Sequence, residues 1–251
     1  MKTANYIKPD SSLCGACREL TYQAPFRWLK KGMDDFRRAP LHSLVYGVIF
    51  AVIGGVLVYV SRLDFGYLIA GLIVSLLFVG PALAFGLYDI SQQLEQNHKP
   101  SFRHERRKAW HEMGHELMLV LLLSLAYLIL LLIVPIVMDI ITASDRFAVT
   151  ASVPLTDSAT LFIAILFAGL LFWVSVFALP MILDQDADAM TAITTSLHAV
   201  WRNKSVTVLW AVLILLFTAL GFATALIGFV FIMPVLGYAS WHAYRETIIK
   251  S

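Results

Sequence analysis

Six apolar stretches, separated by gaps that differ sharply in charge, constrain this sequence more than any other feature. A helix needs about 20 residues to cross a bilayer core about 30 Å thick, and each stretch is near that length. They run Leu41–Val60, Gly66–Leu87, Leu117–Met138, Ala159–Leu183, Val206–Phe222 and Ala223–Trp241. With 59% hydrophobic and 14% charged residues, the composition excludes a soluble globular domain. The sequence therefore predicts an all-α polytopic membrane protein with six transmembrane helices.

The basic residues predict the orientation of these helices. Of 19 Lys and Arg residues, 17 lie in residues 1–40, 91–114, 184–205 and 242–251, leaving Arg62 and Arg146 elsewhere. Positive residues in short loops stay in the cytoplasm. We therefore expect a multi-pass protein of the bacterial inner membrane with both termini cytoplasmic. The polar first 40 residues lack the apolar region of a signal peptide, so the first span is expected to direct insertion.

Short amphipathic segments precede the pairs of apolar stretches. In the first, an apolar stripe recurs at helical spacing, and the charged residues Arg27, Lys30, Lys31, Asp34, Asp35 and Arg37 lie on the other faces; the stripe is Phe26, Leu29, Met33 and Phe36. A weaker copy contains Phe102, Trp110 and Met113, and a third has Met190, Ile193, Leu197 and Trp201. Such helices lie in the membrane interface. We predict three hairpins, each preceded by a cytoplasmic interfacial helix.

This reading divides the chain into three parts. Residues 1–24 form a cytoplasmic arm, residues 25–245 the six-span membrane domain, and residues 246–251 a cytoplasmic tail. The lipid bilayer is the expected partner, together with another membrane protein or a respiratory complex. Nothing in the sequence indicates nucleic acid, and the oligomeric state is left open.

The even-numbered spans share a proline near their cytoplasmic ends, at Pro81, Pro180 and Pro234. Proline kinks a helix and frees a carbonyl that a neighbour or water must satisfy. Three such kinks can shape a cavity at the cytoplasmic side or can serve packing alone. The candidate structural and cavity residues beside these prolines are Tyr88, Asp89, Asp186, Trp241 and His242.

A zinc-protease pattern lies at the start of the third span. In His111-Glu112-Met113-Gly114-His115, the two histidines share a helix face and can bind zinc, while Glu112 can act as catalytic base. Intramembrane site-two-type proteases carry a similar motif, and Asp184 is the candidate third ligand. Their Asn-Pro-x-Pro-x-Leu-Asp-Gly stretch is absent, and a solvated helix cap explains the same residues.

Cys14 and Cys17 are the only cysteines. Their spacing suits half of a zinc site or a redox pair, because both sulfurs can reach one ion. The other half of such a site is missing, so two incidental thiols are the alternative. No cofactor is expected with confidence, and zinc is the one candidate.

The central parts of the six spans contain no Asp, Glu, Lys, Arg or His. Ion-coupled transporters and proton relays place ionisable groups at that depth. The sequence therefore argues against a pump and leaves a passive transporter as an alternative. Near the ends of the spans, Asp184, Asp186 and Asp188 are placed to cap the third interfacial helix.

Three segments resemble a known family. Gly80–Asp89, Leu179–Ser196 and Pro234–Arg245 are similar to an uncharacterised bacterial integral membrane protein family, domain of unknown function 2189. The likeness covers about residues 36–245. It implies a six-span inner-membrane protein and supplies no activity, substrate or catalytic residue. A cytochrome c oxidase subunit I label carried by some members finds no support in these residues.

The first functional hypothesis is therefore a non-enzymatic inner-membrane protein that binds lipid, a small apolar molecule or another membrane protein. An accessory role in the assembly of a respiratory complex is one form of this hypothesis. The alternatives are a cytoplasm-facing intramembrane zinc metalloprotease and a passive transporter.

Overall fold

The computed structural model describes residues 17–61, 83–100, 158–185 and 187–249. Within these ranges the fold is all-helical, and its single β-bridge joins Cys17 to Ile248. Seven helices are described: α1 Ala24–Arg38, α2 Pro40–Ser61, α3 at residues 83–95, α4 Ser158–Gln185, α5 Ala189–Arg202, α6 Lys204–Ala223 and α7 Phe229–Thr247.

A sharp bend separates α1 from α2. Ala39 has non-helical backbone angles, and the axis turns by 108° before α2 begins at Pro40. Proline disfavours helical geometry in the residue before it and suits the first position of a new helix. The Ala39-Pro40 pair therefore ends the amphipathic helix and starts the apolar one.

The described helices contain one clear candidate for a membrane span, α6, which is long and apolar enough to cross a bilayer. The bent pair of α1 and residues 40–56 of α2 passes the same test when taken together. Large apolar side chains are exposed along both helices, including Val48, Val52, Val212 and Leu216. A continuous exposed apolar face of this kind suits a lipid environment.

Helix α7 lies at the centre of the described helices and packs against α1, α2, α4 and α6. Helix α3 joins it, since Leu87 and Ile90 form a buried cluster with Tyr238. A second and larger cluster links α4, α5 and α7 through side chains such as Phe177, Val200 and Trp241. The core therefore surrounds α7.

The boundary between the last two predicted spans differs from the structure. The sequence placed Ala223–Trp241 directly after Val206–Phe222, whereas the structure has a turn at residues 224–228 and starts α7 at Phe229. Ala225 and Leu226 have φ values of 51° and 71°. Hydrophobicity hides this turn, because its residues are as apolar as the helices they join. The second and third predicted spans lie largely outside the described residues.

Candidate functional site

Helix α1 has three distinct faces. One face is buried, mainly against α7, and consists of Ala24, Pro25, Trp28, Gly32 and Asp35. The second carries the predicted apolar stripe, on which Phe26 is 56% exposed and Met33 39% exposed. The third carries the exposed charges. Phe26 and Met33 therefore face outward beside the packed face, as expected of a helix in the membrane interface, whereas Leu29 and Phe36 of the same stripe pack partly against the core.

Helix α5 repeats this division. Its buried face consists of small residues such as Ala192, Ser196 and Ala199. Its predicted stripe faces outward, with Met190 65% and Trp201 70% exposed. Asp188 caps the helix by accepting a hydrogen bond from the Thr191 backbone N–H at 3.1 Å. Hydrogen bonding from the Thr191 side chain, and then from its backbone N–H, lowers the pKa of the Asp188 carboxyl. This confirms the predicted cap.

At the ends of α3, α4 and α7 lies a group of polar side chains that we call the polar end. Its first cluster joins α1, α3 and α7. The Ser91 hydroxyl donates to Asp35 Oδ2 at 2.5 Å, and His242 Nε2 lies 2.8 Å from the same oxygen. All three side chains are buried. The sequence placed Asp35 on a face other than the apolar stripe, and the structure shows that this is the packed face, which Asp35 shares with Trp28 and Gly32.

Ser91, His242 and Asp35 are the residue types of a hydrolytic triad, but their arrangement is different. In a triad the histidine lies between serine and carboxylate and uses one ring nitrogen for each. Here the Ser91 hydroxyl donates directly to Asp35, and the same His242 nitrogen faces both partners, 3.5 Å from Ser91. The cluster therefore joins three helices and does not present an activated nucleophile.

The second cluster is built on Asp184. Its carboxylate accepts hydrogen bonds from Gln92 Nε2 at 3.0 Å, Tyr244 Oη at 2.9 Å and Arg245 Nη1 at 3.3 Å. Arg245 Nε also donates to Glu95 at 3.1 Å, and Gln185 donates to Tyr244 at 2.8 Å. Asp184 thus links α3, α4 and α7 and is nearly inaccessible to solvent.

The protonation of Tyr244 fits this role. Burial and the neighbouring Asp184 carboxylate raise the pKa of the Tyr244 phenol well above its usual range. The phenol therefore keeps its proton at neutral pH and remains a donor to Asp184. The cluster is therefore held by hydrogen bonds to one carboxylate.

Asn203 fixes the break between α5 and α6. Its Oδ1 accepts from the Leu20 backbone N–H at 2.8 Å, and its Nδ2 donates to the carbonyls of Arg18 at 3.0 Å and Ala199 at 3.1 Å. One buried amide therefore holds the segment before α1 against the α5–α6 junction.

The predicted structural and cavity residues divide between described and undescribed parts of the chain. Pro180 and Pro234 lie inside α4 and α7, where both are buried. Tyr88 and Trp241 are buried together, with ring centroids 6.3 Å apart, and Asp89 accepts from Gln93 at 2.7 Å. His242 belongs to the Asp35 cluster. Pro81 and Asp186 lie outside the described residues.

Most residues of the predicted metal sites also lie outside the described part of the chain. These are His111, Glu112, His115 and Cys14. Cys17 is buried at its bridge to Ile248. Asp184, the candidate third zinc ligand, accepts three hydrogen bonds as described above. Across the described ranges, no three His, Cys, Asp or Glu side chains gather closely enough to hold a metal ion. The zinc hypotheses stay predictions.

Sequence reasoning missed Asp35, Ser91, Gln92, Asn203 and Arg245. A signal existed for Asp35, which falls three residues after Gly32 and seven after Trp28 on one helix face. No comparable local signal identifies Ser91, Gln92, Asn203 or Arg245, because their partners lie far away in the chain. Asn203 and Leu20, for example, are separated by 183 positions.

Within the described residues, the protein is all-helical and exposes the apolar helix faces that are typical of a membrane protein. Residues 68–184 match the model of a family described as "Predicted integral membrane protein (DUF2189)". This confirms the resemblance noted in the sequence, over slightly less than half of the 251 residues. No curated protein and no solved structure matches the chain.

Proposed function

We propose that this chain is a non-enzymatic protein of the bacterial inner membrane that binds lipid at its cytoplasmic face. The outward apolar stripes of α1 and α5 carry the proposal. Each stripe adjoins a face packed on the protein, so both helices are fixed in place while Phe26, Met33, Met190, Leu197 and Trp201 remain exposed. The other stripe residues, Leu29, Phe36 and Ile193, pack partly against the core. The lipid headgroup boundary accommodates a helix of this kind. Binding of another membrane protein or of a respiratory complex would use the same surfaces.

The proposed architecture has six spans, of which α2, α4, α6 and α7 contribute four. Both termini and the polar end are assigned to the cytoplasm by the distribution of Lys and Arg. The 108° bend after α1 supports this assignment, because it lets α1 lie along the surface while α2 enters the bilayer.

Parallels between α1 and α5 support a repeated unit. Ser43 Oγ donates to the carbonyl of Ala39, the residue at the α1–α2 break, at 2.8 Å. Thr207 Oγ1 donates to the carbonyl of Asn203, the residue at the α5–α6 break, at 3.1 Å. Helix α1 packs on proline-containing α7, and α5 packs on proline-containing α4. Each interfacial helix thus rests on the second span of a different hairpin.

Lipid retention tests this function. We expect the double variant Phe26→Ser, Met33→Ser to lose bound phospholipid after mild detergent extraction. Withdrawing a large apolar side chain from lipid costs about 1.5–3 kcal/mol, so retention should weaken at least about tenfold. Native mass spectrometry counts the phospholipids that remain on each protein molecule.

The matched control is Lys30→Ser, Asp34→Ser, which changes two exposed residues on the charged face of the same helix. It should retain as much phospholipid as the wild type. If all three proteins retain the same amount of phospholipid, and hydrogen exchange shows that α1 is still folded in each, lipid binding through this stripe is refuted.

A further inference from the structure

A charged cleft of about 600 Å³ opens at the polar end. Its wall contains four cations and two carboxylates, together with the side chains of Ile248 and Ile249; the charged residues are Arg18, Arg27, Lys31, Arg245, Glu95 and Glu246. The volume falls in the range of small-molecule sites, about 300–1,000 Å³. The cleft therefore has room for a small ligand and an excess of two positive charges.

The four cations are not equivalent. Arg27 pairs with Glu246 and also donates to the Thr21 hydroxyl at 3.2 Å, and Arg245 pairs with Glu95 and Asp184. These two guanidinium groups are held in position by the protein. The side chains of Arg18 and Lys31, by contrast, form no ion pair with any residue in the described ranges. Among the described residues, the excess charge therefore resides on Arg18 and Lys31, beside the two guanidinium groups that the protein holds in position.

The positions of Arg27 and Lys31 on α1 indicate whether the cleft faces water or lipid. Arg27 and Lys31 project from α1 on the side opposite Leu29 and Met33. When the apolar stripe lies on the membrane, the cleft faces water. The N-terminal residues 1–16 suit the cleft poorly, because they contain two lysines and one aspartate and carry the same sign of charge.

We propose that this cleft binds a soluble, phosphate-bearing small molecule from the cytoplasm. Guanidinium and ammonium groups donate hydrogen bonds to phosphate oxygens, and the excess of cations over carboxylates in the wall favours an anionic ligand. Ile248 and Ile249 offer an apolar wall to the rest of the ligand. The inference rests on the proposed orientation of α1 and adds a ligand site to the proposed lipid binding.

Inorganic pyrophosphate is the probe. We expect the full chain, in nanodiscs of phosphatidylcholine, to bind it in calorimetric titrations, and Lys31→Gln to weaken binding about tenfold. The double variant Arg18→Gln, Lys31→Gln should remove measurable binding. Lys30→Gln is the matched control, since Lys30 is the adjacent exposed lysine and does not line the cleft; it should change affinity less than about twofold.

Absence of pyrophosphate binding, or equal losses in the Lys31 and Lys30 variants, would overturn the proposal. Nanodiscs containing phosphatidylglycerol distinguish the two sources of phosphate. If this lipid abolishes pyrophosphate binding to the wild type, the cleft takes a lipid headgroup and the soluble-ligand proposal is wrong. Retention of phospholipid by the stripe variant Phe26→Ser, Met33→Ser reports separately on the proposed function, so the two failures are distinguishable.

Discussion

Replacing Asp184 with alanine is expected to destabilise the protein by about 3 kcal/mol. Its carboxylate is the common acceptor for Gln92, Tyr244 and Arg245, so the substitution leaves the buried Tyr244 hydroxyl without its acceptor and removes one hydrogen bond from each of the other two side chains. The upper range for a broken buried pair is about 5 kcal/mol, and the expected loss is smaller because Arg245 is one-third exposed and can rehydrate. Denaturant unfolding in detergent, followed by tryptophan fluorescence, measures the loss.

Two further variants show whether the hydrogen bonds cause that loss. Asp184→Asn keeps the shape of the side chain and one acceptor oxygen, so it should lose less unfolding free energy than Asp184→Ala. Asp34→Ala removes a carboxylate from an exposed pair with Arg37, at 3.7 Å, and should change stability by less than about 0.5 kcal/mol. A loss for Asp184→Ala no larger than that for Asp34→Ala would contradict the assignment of Asp184 as the link between α3, α4 and α7.

Enlarging Gly32 is expected to separate α1 from α7. A Cβ atom at Gly32 would lie 2.6 Å from the Val235 carbonyl oxygen and 2.9 Å from the Ala239 backbone nitrogen. Backbone cannot rotate away as a side chain can, so the helices must move apart. We expect Gly32→Leu to cost about 1–3 kcal/mol and to raise amide hydrogen exchange along α1.

Gly55→Leu is the matched control, because it places the same side chain in α2 at a position where a Cβ meets nothing within 4 Å. It should leave exchange along α1 unchanged and should not destabilise the fold, since leucine is the better helix former. Normal α1 protection in Gly32→Leu would show that α1 does not pack on α7 through this glycine.

The sequence predicted the helices whose signals are local. The spacing of Phe26, Leu29 and Met33 correctly predicts α1, and Asp188 correctly predicts the start of α5. Apolar length also predicts α2 and α6. These features depend on periodicity, capping and hydrophobicity, which residues a few positions apart determine.

The polar end was largely invisible in the sequence because it depends on contacts between distant residues. Asp35 and His242 are separated by 207 positions, and Asp184 and Tyr244 by 60. The sequence offered Asp184 as a helix cap or a third zinc ligand, and its three donors become visible only through the packing of α3 and α7. The turn at Ala225 and Leu226 was missed for a different reason, because neither residue is a typical turn former.

The placement of α1 at the membrane surface is the central claim, and spin labelling tests it most directly. Single labels at Phe26→Cys and at Lys31→Cys, which lie on opposite sides of α1, would be compared in phospholipid nanodiscs, each in a Cys14→Ser, Cys17→Ala background. We predict that the label at position 26 collides mainly with lipid-soluble oxygen and the label at position 31 mainly with a water-soluble nickel chelate. Equal exposure of both labels to the nickel chelate would contradict the account, because α1 would then lie in water on both faces.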